Sequence, residues 1–462
     1  HWLRVFAVMF CRDAFIKTGA DNRSFHDHAR AAAAFYEERV AASLSKLVFE
    51  QVFPDLAGAI AHAAPHATLE DVRQASLVLL YRLLFLLCAE DRDLLPVGEK
   101  RYDDYALRQQ RREVGRRVSE NDVFSDTATK IWHHVADLAR IIDKGEAKVG
   151  IPPYNGGLFA ADGTPLLDTI RIPDSVMAPT LDALSWLREG GAARYINYRD
   201  LSVQQLGSIY ERLLEFEIVR DDSGTLNVRP NLFARKNSGS YYTPDELVGL
   251  ILDQTLEPLI SERLDAFGVA LAKLNPKDSP DYQIGDLNAV DPAETILKLR
   301  VCDPAMGSGH FLVSLVDTLA DHVLEAMAEA QALAAESAPH LEYISPLARK
   351  IEDIRTTILR NAKAAGWTID PAQLDDRHIV RRMVLKRCVY GVDKNPMAVE
   401  LAKVALWLHT FTVGAPLSFI DHHLRAGDSL FGLWVRDAID KAGSQGGELL
   451  HIGPLREAES SA

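Results

Sequence analysis

Cysteine is scarce in this chain: four residues in 462, at Cys11, Cys88, Cys302 and Cys388. No two stand at a metal-ligand spacing, and none implies a disulfide framework, so neither a structural zinc nor a stapled extracellular scaffold organises the fold. All four sit in apolar settings and are expected as buried small hydrophobes. Long hydrophobic runs are also lacking. The stretch from Leu77 to Ala89 carries Arg82 and is shorter than a bilayer span, so it reads as a buried core helix. The opening His1–Phe10 has no small-residue cleavage site and runs into Arg12-Asp13, which is not an export signal.

Basic charge is in deficit. Lys and Arg number 51 against 65 Asp and Glu, a formal net charge of −14. That balance opposes the global basic footprint of a nucleic-acid binder and leaves only local clusters to supply one. Two are present, Arg108/Arg111/Arg112/Arg116/Arg117 and Arg381/Arg382/Lys386/Arg387. Both are expected as solvated helix faces. With 47% hydrophobic and 25% charged residues, the chain suits a large cytosolic globular protein of two to three domains.

What is present is a glycine turn in an informative place. Val301-Cys-Asp-Pro-Ala-Met-Gly-Ser-Gly-His-Phe-Leu312 reads as a strand end, then Asp303-Pro304, then Gly307-Ser308-Gly309, then a long apolar helix. Bare backbone at the carboxyl edge of a first strand can approach a cofactor closely, with a helix N-terminus behind it. Downstream, Cys388-Val-Tyr-Gly-Val-Asp393 reads as a second strand, followed by an Asn395-Pro396 turn and a helix. An acid at that strand end suits a pair of ribose hydroxyls. Leu424-Arg-Ala-Gly-Asp428 ends a third short strand, where a carboxylate can accept from an exocyclic amine. A dinucleotide fingerprint would need glycine at Leu312 and its strand-end acid about 20 residues on, whereas Asp393 lies about 90 residues beyond Asp303, after a helical insertion.

The segment from Asp303 to Phe311 resembles the S-adenosylmethionine loop of class I methyltransferases, in the form used by DNA adenine-N6 methyltransferases. Asn237-Ser-Gly-Ser-Tyr-Tyr-Thr-Pro244 resembles the segment that precedes that loop in the gamma class. The chain is similar to the large methylases of bifunctional type II restriction–modification enzymes and their relatives in phage defence. Softer matches are Leu83–Asp91, Tyr154-Asn-Gly-Gly-Leu-Phe159 and Leu201–Glu211. This resemblance implies an α/β class I fold, Rossmann-like with a mostly parallel sheet, incomplete at its C-terminus and preceded by a mainly α-helical domain. It implies S-adenosyl-L-methionine held by Tyr242, Thr243, Pro244, Asp303, Ala305, Gly307, Gly309, Phe311, Asp393, Lys394, Asp428 and Ser429. Tyr242 and Thr243-Pro244 would cap the methionine end, Asp393 the ribose and Asp428 the adenine N6. The implied partners are double-stranded DNA and other restriction or defence-system subunits, with no membrane, no metal and a cytoplasmic location.

One departure stands out. The family holds the target amine with an Asn/Asp-Pro-Pro-Tyr/Phe motif, and none follows Gly432. Ile151-Pro-Pro-Tyr154 offers isoleucine where an acceptor must sit, and reads as a turn into Asn155-Gly156-Gly157. The catalytic residues are thus not assigned, and the chain is expected to be the front portion of a larger enzyme. No Pro-Asp…Asp/Glu-x-Lys nuclease pattern stands out either. The alternatives are a bifunctional restriction enzyme with its nuclease elsewhere, or a cofactor-binding scaffold or specificity subunit.

Three regions are expected: a mainly helical 1–235, a cofactor-binding 236–435 and a polar tail 436–462. The helical part is expected to stay clear of the cofactor. Periodicity predicts helices over Ala31–Val52, Leu69–Asp91, Ser125–Asp143 and Leu201–Val219, the last with Ser202 as N-cap. Gly150–Pro179 and Lys273–Asp291 read as loops, and Arg220–Pro230 as a hairpin or linker around Gly224. Ile296–Cys302 is predicted as the first strand. Helices are predicted from Thr243-Pro244 to about Leu264 and over Phe311–Glu336, Ser345–Ala365 and Asp376–Lys386.

Overall fold

The computed structural model describes residues 2–17, 22–154, 157–160, 164–189, 192–202, 205–207, 209, 216–221, 226–230, 243–367, 369, 374–411 and 417–430. Its N-terminal part is helical, and its two longest helices start where the sequence supplies capping boxes. Helix α1 (Phe25–Leu47) opens on a Ser24/Asp27 capping box, and α3 (Leu69–Asp91) on a Thr68/Asp71 one. Between them a π-turn at Val48–Val52 runs into α2 (Phe53–Ala63). Helix α3 is long and apolar enough to cross a membrane, but 89% of its apolar stretch is buried inside the protein. It is apolar nearly all round because it is the central helix of this part. Helices α4 (Leu107–Ser119), α5 (Lys130–Lys144) and α6 (Asp174–Ala183) complete the layer.

Here the structure departs from expectation. Helix α6 and a helical turn at Pro165–Thr169 occupy what read as a loop from Gly150 to Pro179. Pro173 simply precedes α6, and Pro179 is accommodated inside it. Helix α5 starts at Lys130, later than Ser125. Two antiparallel hairpins also interrupt the helices: β1 (Trp186–Glu189) with β2 (Ala192–Tyr195), and β3 (Phe216–Arg220) with β4 (Leu226–Pro230). The predicted helix to Val219 therefore ends early, since Phe-Glu-Ile-Val-Arg carries a strand's alternation with Ile218 inward. Phe216 stacks on Phe49 at 4.8 Å, which fixes that register. The hairpin around Gly224 is present as the β3–β4 pairing, though Gly224 lies outside the described residues. The Ser202 N-cap is present, its hydroxyl accepting from the Gln205 N–H at 3.0 Å.

The second part is α/β. Helix α7 (Asp245–Ala272) is followed by α8 (Pro280–Ala289), which replaces the loop expected from Lys273 to Asp291. The signal was there: Ser279 caps and Pro280 takes a first-turn position. A helical turn, Pro292–Ile296, then precedes strand β5, which covers only Val301–Asp303. Helices α9 (His310–Ser337), α10 (Pro346–Ala365) and α11 (Asp376–Arg387) follow. Strand β6 (Val389–Asp393), α12 (Pro396–His409) and β7 (Leu424–Ala426) finish the described chain. The three strands lie in the order β5-β6-β7, all parallel. Helix α9 packs against α7, α11 and α12.

One contiguous apolar core passes through both parts. Trp407 of α12 is fully buried beside Phe85 of α3 and Tyr154, with centroids 5.2 and 4.9 Å away. Cys88 and Cys388 are buried as expected, but Cys11 and Cys302 are exposed. Cys302 lies on β5, whose two faces are not both covered, so an apolar neighbourhood in sequence did not become burial.

Candidate functional site

The parallel order of β5, β6 and β7 brings three strand ends to one edge, and Asp303, Asp393 and Asp428 stand at or just beyond them. This is where an open α/β sheet binds ligands. Asp303 closes a turn, its Oδ1 accepting from the Ala305 N–H at 3.0 Å. The Met306 N–H donates to the Val392 carbonyl at 3.1 Å, stitching the loop to β6. The Gly307 N–H then donates to Asp393 Oδ2 at 2.9 Å.

Glycine is required here by geometry. Gly309 has φ +85° and caps α9, and a Cβ on it would sit 3.0 Å from the Ala402 Cβ on α12. Gly307 has φ +54°. Gly391, inside β6, admits the Met306 side chain, since a Cβ there would lie 2.3 Å from Met306 Sδ. Sequence reading passed over Gly391, although a glycine inside a strand signals close approach.

Asp393 is the hub. Its Oδ1 accepts from the Asn395 N–H at 2.8 Å, and its own carbonyl accepts from the Gly427 N–H at 2.9 Å. Asn395 in turn caps α12 through the Met397 N–H at 3.0 Å. A carboxylate offers about four lone-pair sites. Two are used by Gly307 and Asn395, so two remain for a pair of hydroxyls. Burial holds Asp303 above the usual carboxylate range against the Ala305 N–H, and the neighbouring Asp393 charge adds to the rise. Two close carboxylates on one edge favour a cationic ligand.

The remaining predicted residues are less uniform. Asp428 Oδ1 accepts from the Leu430 N–H at 3.0 Å, and Lys394 Nζ lies 3.4 Å from Oδ2. Lys394 is mostly exposed, so this pair is weak and a ligand amine can displace it. Ala305 and Ser429 are exposed, and Phe311 packs on the core. Thr243 and Pro244 lead into α7, which starts at Asp245 with Pro244 as its N-cap, one residue after the predicted start, and α7 packs on the helix behind the glycine loop. Tyr242, like its neighbour Tyr241, lies outside the described residues. The fit to S-adenosylmethionine is good on this chemistry: a glycine cradle, an acid with two open acceptor sites and a second acid beside it.

The N-terminal part comes closer than expected. A Cβ on Gly207 would lie 3.1 Å from Ser308 Oγ in the glycine loop, and one on Gly157 would lie 2.3 Å from Glu400 Oε2 on α12. Both glycines belong to the softer sequence matches, so those segments serve by packing on the loop and on the helix behind Asp393. Tyr154 of the Pro-Pro-Tyr sequence is 2% exposed and packs edge-on to Trp407, with Ile151 buried beside it. That arrangement holds a core together and presents no amine acceptor.

Of the basic clusters, Arg381 is taken by Asp317 at 2.6 Å, and burial pushes Arg382 down to about 9. Arg387 lies 4.0 Å from Glu294. In the other cluster Arg111 is fully buried on Asp91 at 2.9 Å, Arg116 is held by Glu113 and Glu120, and Arg117 by Asp122. The solvated face expected of both clusters holds for Arg108, Arg112, Arg116, Lys386 and Arg387, whereas Arg111, Arg381 and Arg382 are drawn into the fold.

No protein-family model matches the chain. Over 400 residues, 81% of its length, it is 23% identical to a provisionally named type II restriction enzyme and methyltransferase of Methanocaldococcus jannaschii. The chain spans 28% of that relative's length. Among solved structures, the Type IIL restriction-modification enzyme MmeI, determined in complex with DNA, matches 86% of the chain and 40% of its own, at 14% identity and a TM-score of 0.40.

Proposed function

We propose that this chain carries the cofactor-binding part of a DNA adenine-N6 methyltransferase of a restriction–modification or phage-defence system, acting in the cytoplasm. The observation that carries the reading is the Asp393 carboxylate. It is fixed at the end of β6 by the Gly307 and Asn395 N–H groups, with two acceptor sites left over. Residues 236–435 would bind S-adenosyl-L-methionine and residues 1–235 would brace that region. The name of the M. jannaschii relative supports a methyltransferase role.

In this reading Asp393 holds the ribose hydroxyls, Asp428 accepts from the cofactor's adenine amine, and Asp303 orients the loop and faces the ammonium group. Gly307 and Gly309 let the loop pack against the amino-acid portion, with Ala305 and Phe311 beside it. Lys394 and Ser429 flank the nucleoside, and Tyr242, Thr243 and Pro244 cover the methionine end. S-adenosylmethionine supplies an electrophilic methyl group. The chain's own work is to orient the nucleoside and to place the sulfonium end toward the target. A target adenine must leave the duplex, because its amine is engaged in pairing.

The test is calorimetric titration of the 462-residue chain with S-adenosylmethionine, S-adenosylhomocysteine and NADH. Saturable binding of the first two at one site per chain supports the reading. Binding of NADH in their place overturns it.

A further inference from the structure

The helical part holds a cleft of about 600 Å³ that lies away from the three strand ends. Its walls include Arg108, Arg112, Trp186, Tyr195 and Arg199. We infer that this cleft grips the phosphodiester backbone of duplex DNA through Arg108 and Arg112. The inference rests on the DNA-directed reading above and adds a contact surface to it.

Arg111, Arg116 and Arg117 all carry internal partners. Among the described residues, Arg108 and Arg112 have no side-chain hydrogen bond or ion pair, and both are exposed at the cleft. They stand four residues apart, so they project from one helix face about 5–6 Å apart at Cβ. In a chain with a net charge of −14, two uncommitted guanidiniums in one concavity are an unusual placement.

The cleft is also built rather than incidental. Trp186 lies against α4, its Nε1–H donating to the Arg111 carbonyl at 3.4 Å, and it meets Tyr195 edge-on at 5.2 Å. Glycine at 115 makes this possible, because a Cβ there would sit 2.4 Å from Trp186 Nε1. Tyr195 is in turn held under the Arg111 guanidinium at 4.3 Å. The acids in the cleft are already engaged. Glu90 accepts from the Leu107 and Arg108 N–H groups at the α4 N-terminus, Asp91 pairs with Arg111, and Asp93 with Arg199.

That last point selects the ligand. The helix N-terminus that would cradle a terminal phosphate is filled by the Glu90 carboxyl, which takes the Leu107 and Arg108 N–H donors a dianion would need. A singly charged phosphodiester, reached by side chains from the rim, suffers less. Two lost phosphate contacts lower the slope of log K against log salt by about 1.8. Between 50 and 200 mM salt that removes about a twelve-fold part of the salt sensitivity.

The experiment compares Arg108→Gln/Arg112→Gln with Arg116→Gln/Arg117→Gln in the full chain, measuring duplex affinity across salt by fluorescence anisotropy. Both variants remove two charges. Only the first should weaken binding, equally for unrelated sequences, and lower the slope by about 1.8. Equal shifts in both variants, or a wild-type chain with no affinity for duplex, overturn the inference. So does ATP binding that needs Arg108 and Arg112 while duplex affinity does not. S-adenosylmethionine titration of the same variants should be unchanged, so a failure here is told apart from a failure of the cofactor reading.

Discussion

Replacing Asp393 by alanine should cost the chain most of its affinity for S-adenosylmethionine while leaving it folded. The carboxylate accepts from the Gly307 N–H at 2.9 Å and the Asn395 N–H at 2.8 Å, which leaves two of its about four acceptor sites for the proposed ribose hydroxyls. Charge-assisted hydrogen bonds contribute about 1.5 kcal/mol each, so two lost to ribose come to roughly 3 kcal/mol. That is roughly a hundred-fold in dissociation constant. The two N–H groups lose their acceptor as well, but the site is only half-buried and water can reach them. Asp393→Asn separates these contributions. It keeps one oxygen, so part of the loop anchoring survives while the charge is lost, and its affinity should fall between wild type and alanine. Calorimetry reads the affinity, and circular dichroism confirms the fold. An Asp393→Ala chain that binds as tightly as wild type refutes the ribose role.

Gly309→Val should abolish cofactor binding and lower Tm, because φ +85° is strained for valine and its Cβ would press on Ala402 at 3.0 Å; unchanged melting and binding would contradict the close packing. Burial pushes the Glu90 carboxyl up to about 7 from 4.5, against donors from Tyr102, Leu107 and Arg108. A raised carboxyl stabilises the fold at low pH and loses that contribution as pH rises through about 4.5–7. The stability of wild type minus Glu90→Gln, from urea unfolding, should therefore fall by about 2–3 kcal/mol between pH 4.5 and 7.5, and a difference independent of pH would contradict it. These 462 residues alone should transfer no labelled methyl group to DNA, because no acceptor-Pro-Pro-aromatic motif is present and Tyr154 is buried. Label on adenine N6 would show that another acceptor serves.

The acids at the strand ends were legible in sequence because each followed a short apolar strand and preceded a turn whose residue types have few other uses. Helix starts at Thr68, Ser345 and Asp375 could likewise be read or nearly so, since capping is a local interaction, but the Ser24 cap was passed over and its helix expected only from Ala31. The hairpins at Trp186–Tyr195 and Phe216–Pro230 were harder. Strands of four or five residues give too few periods to stand out, and their pairing is set by neighbours such as Phe49 and Arg111. The role of Gly157 and Gly207 was invisible for a related reason. A glycine's purpose lies in the atom that comes close to it, and those atoms belong to residues far away in sequence. Within the arginine clusters, Arg111 and Arg381 left the solvated face because sequence shows charge but not which acid will meet it.

Helix α12 deserves a mechanical reading. It starts three residues beyond Asp393, where its N-cap Asn395 ties it to the proposed ribose acid, and near its other end carries Trp407 into the aromatic pocket of Phe85 and Tyr154. At 1.5 Å per residue it is a rod about 20 Å long with one end in each part of the chain. A ligand that steadies the Asp393 end must therefore resist opening at the Trp407 end, since a rigid helix cannot be fixed at one end and loose at the other. Occupancy of the cofactor edge would register as slower amide exchange along α3, a region that touches no part of the ligand.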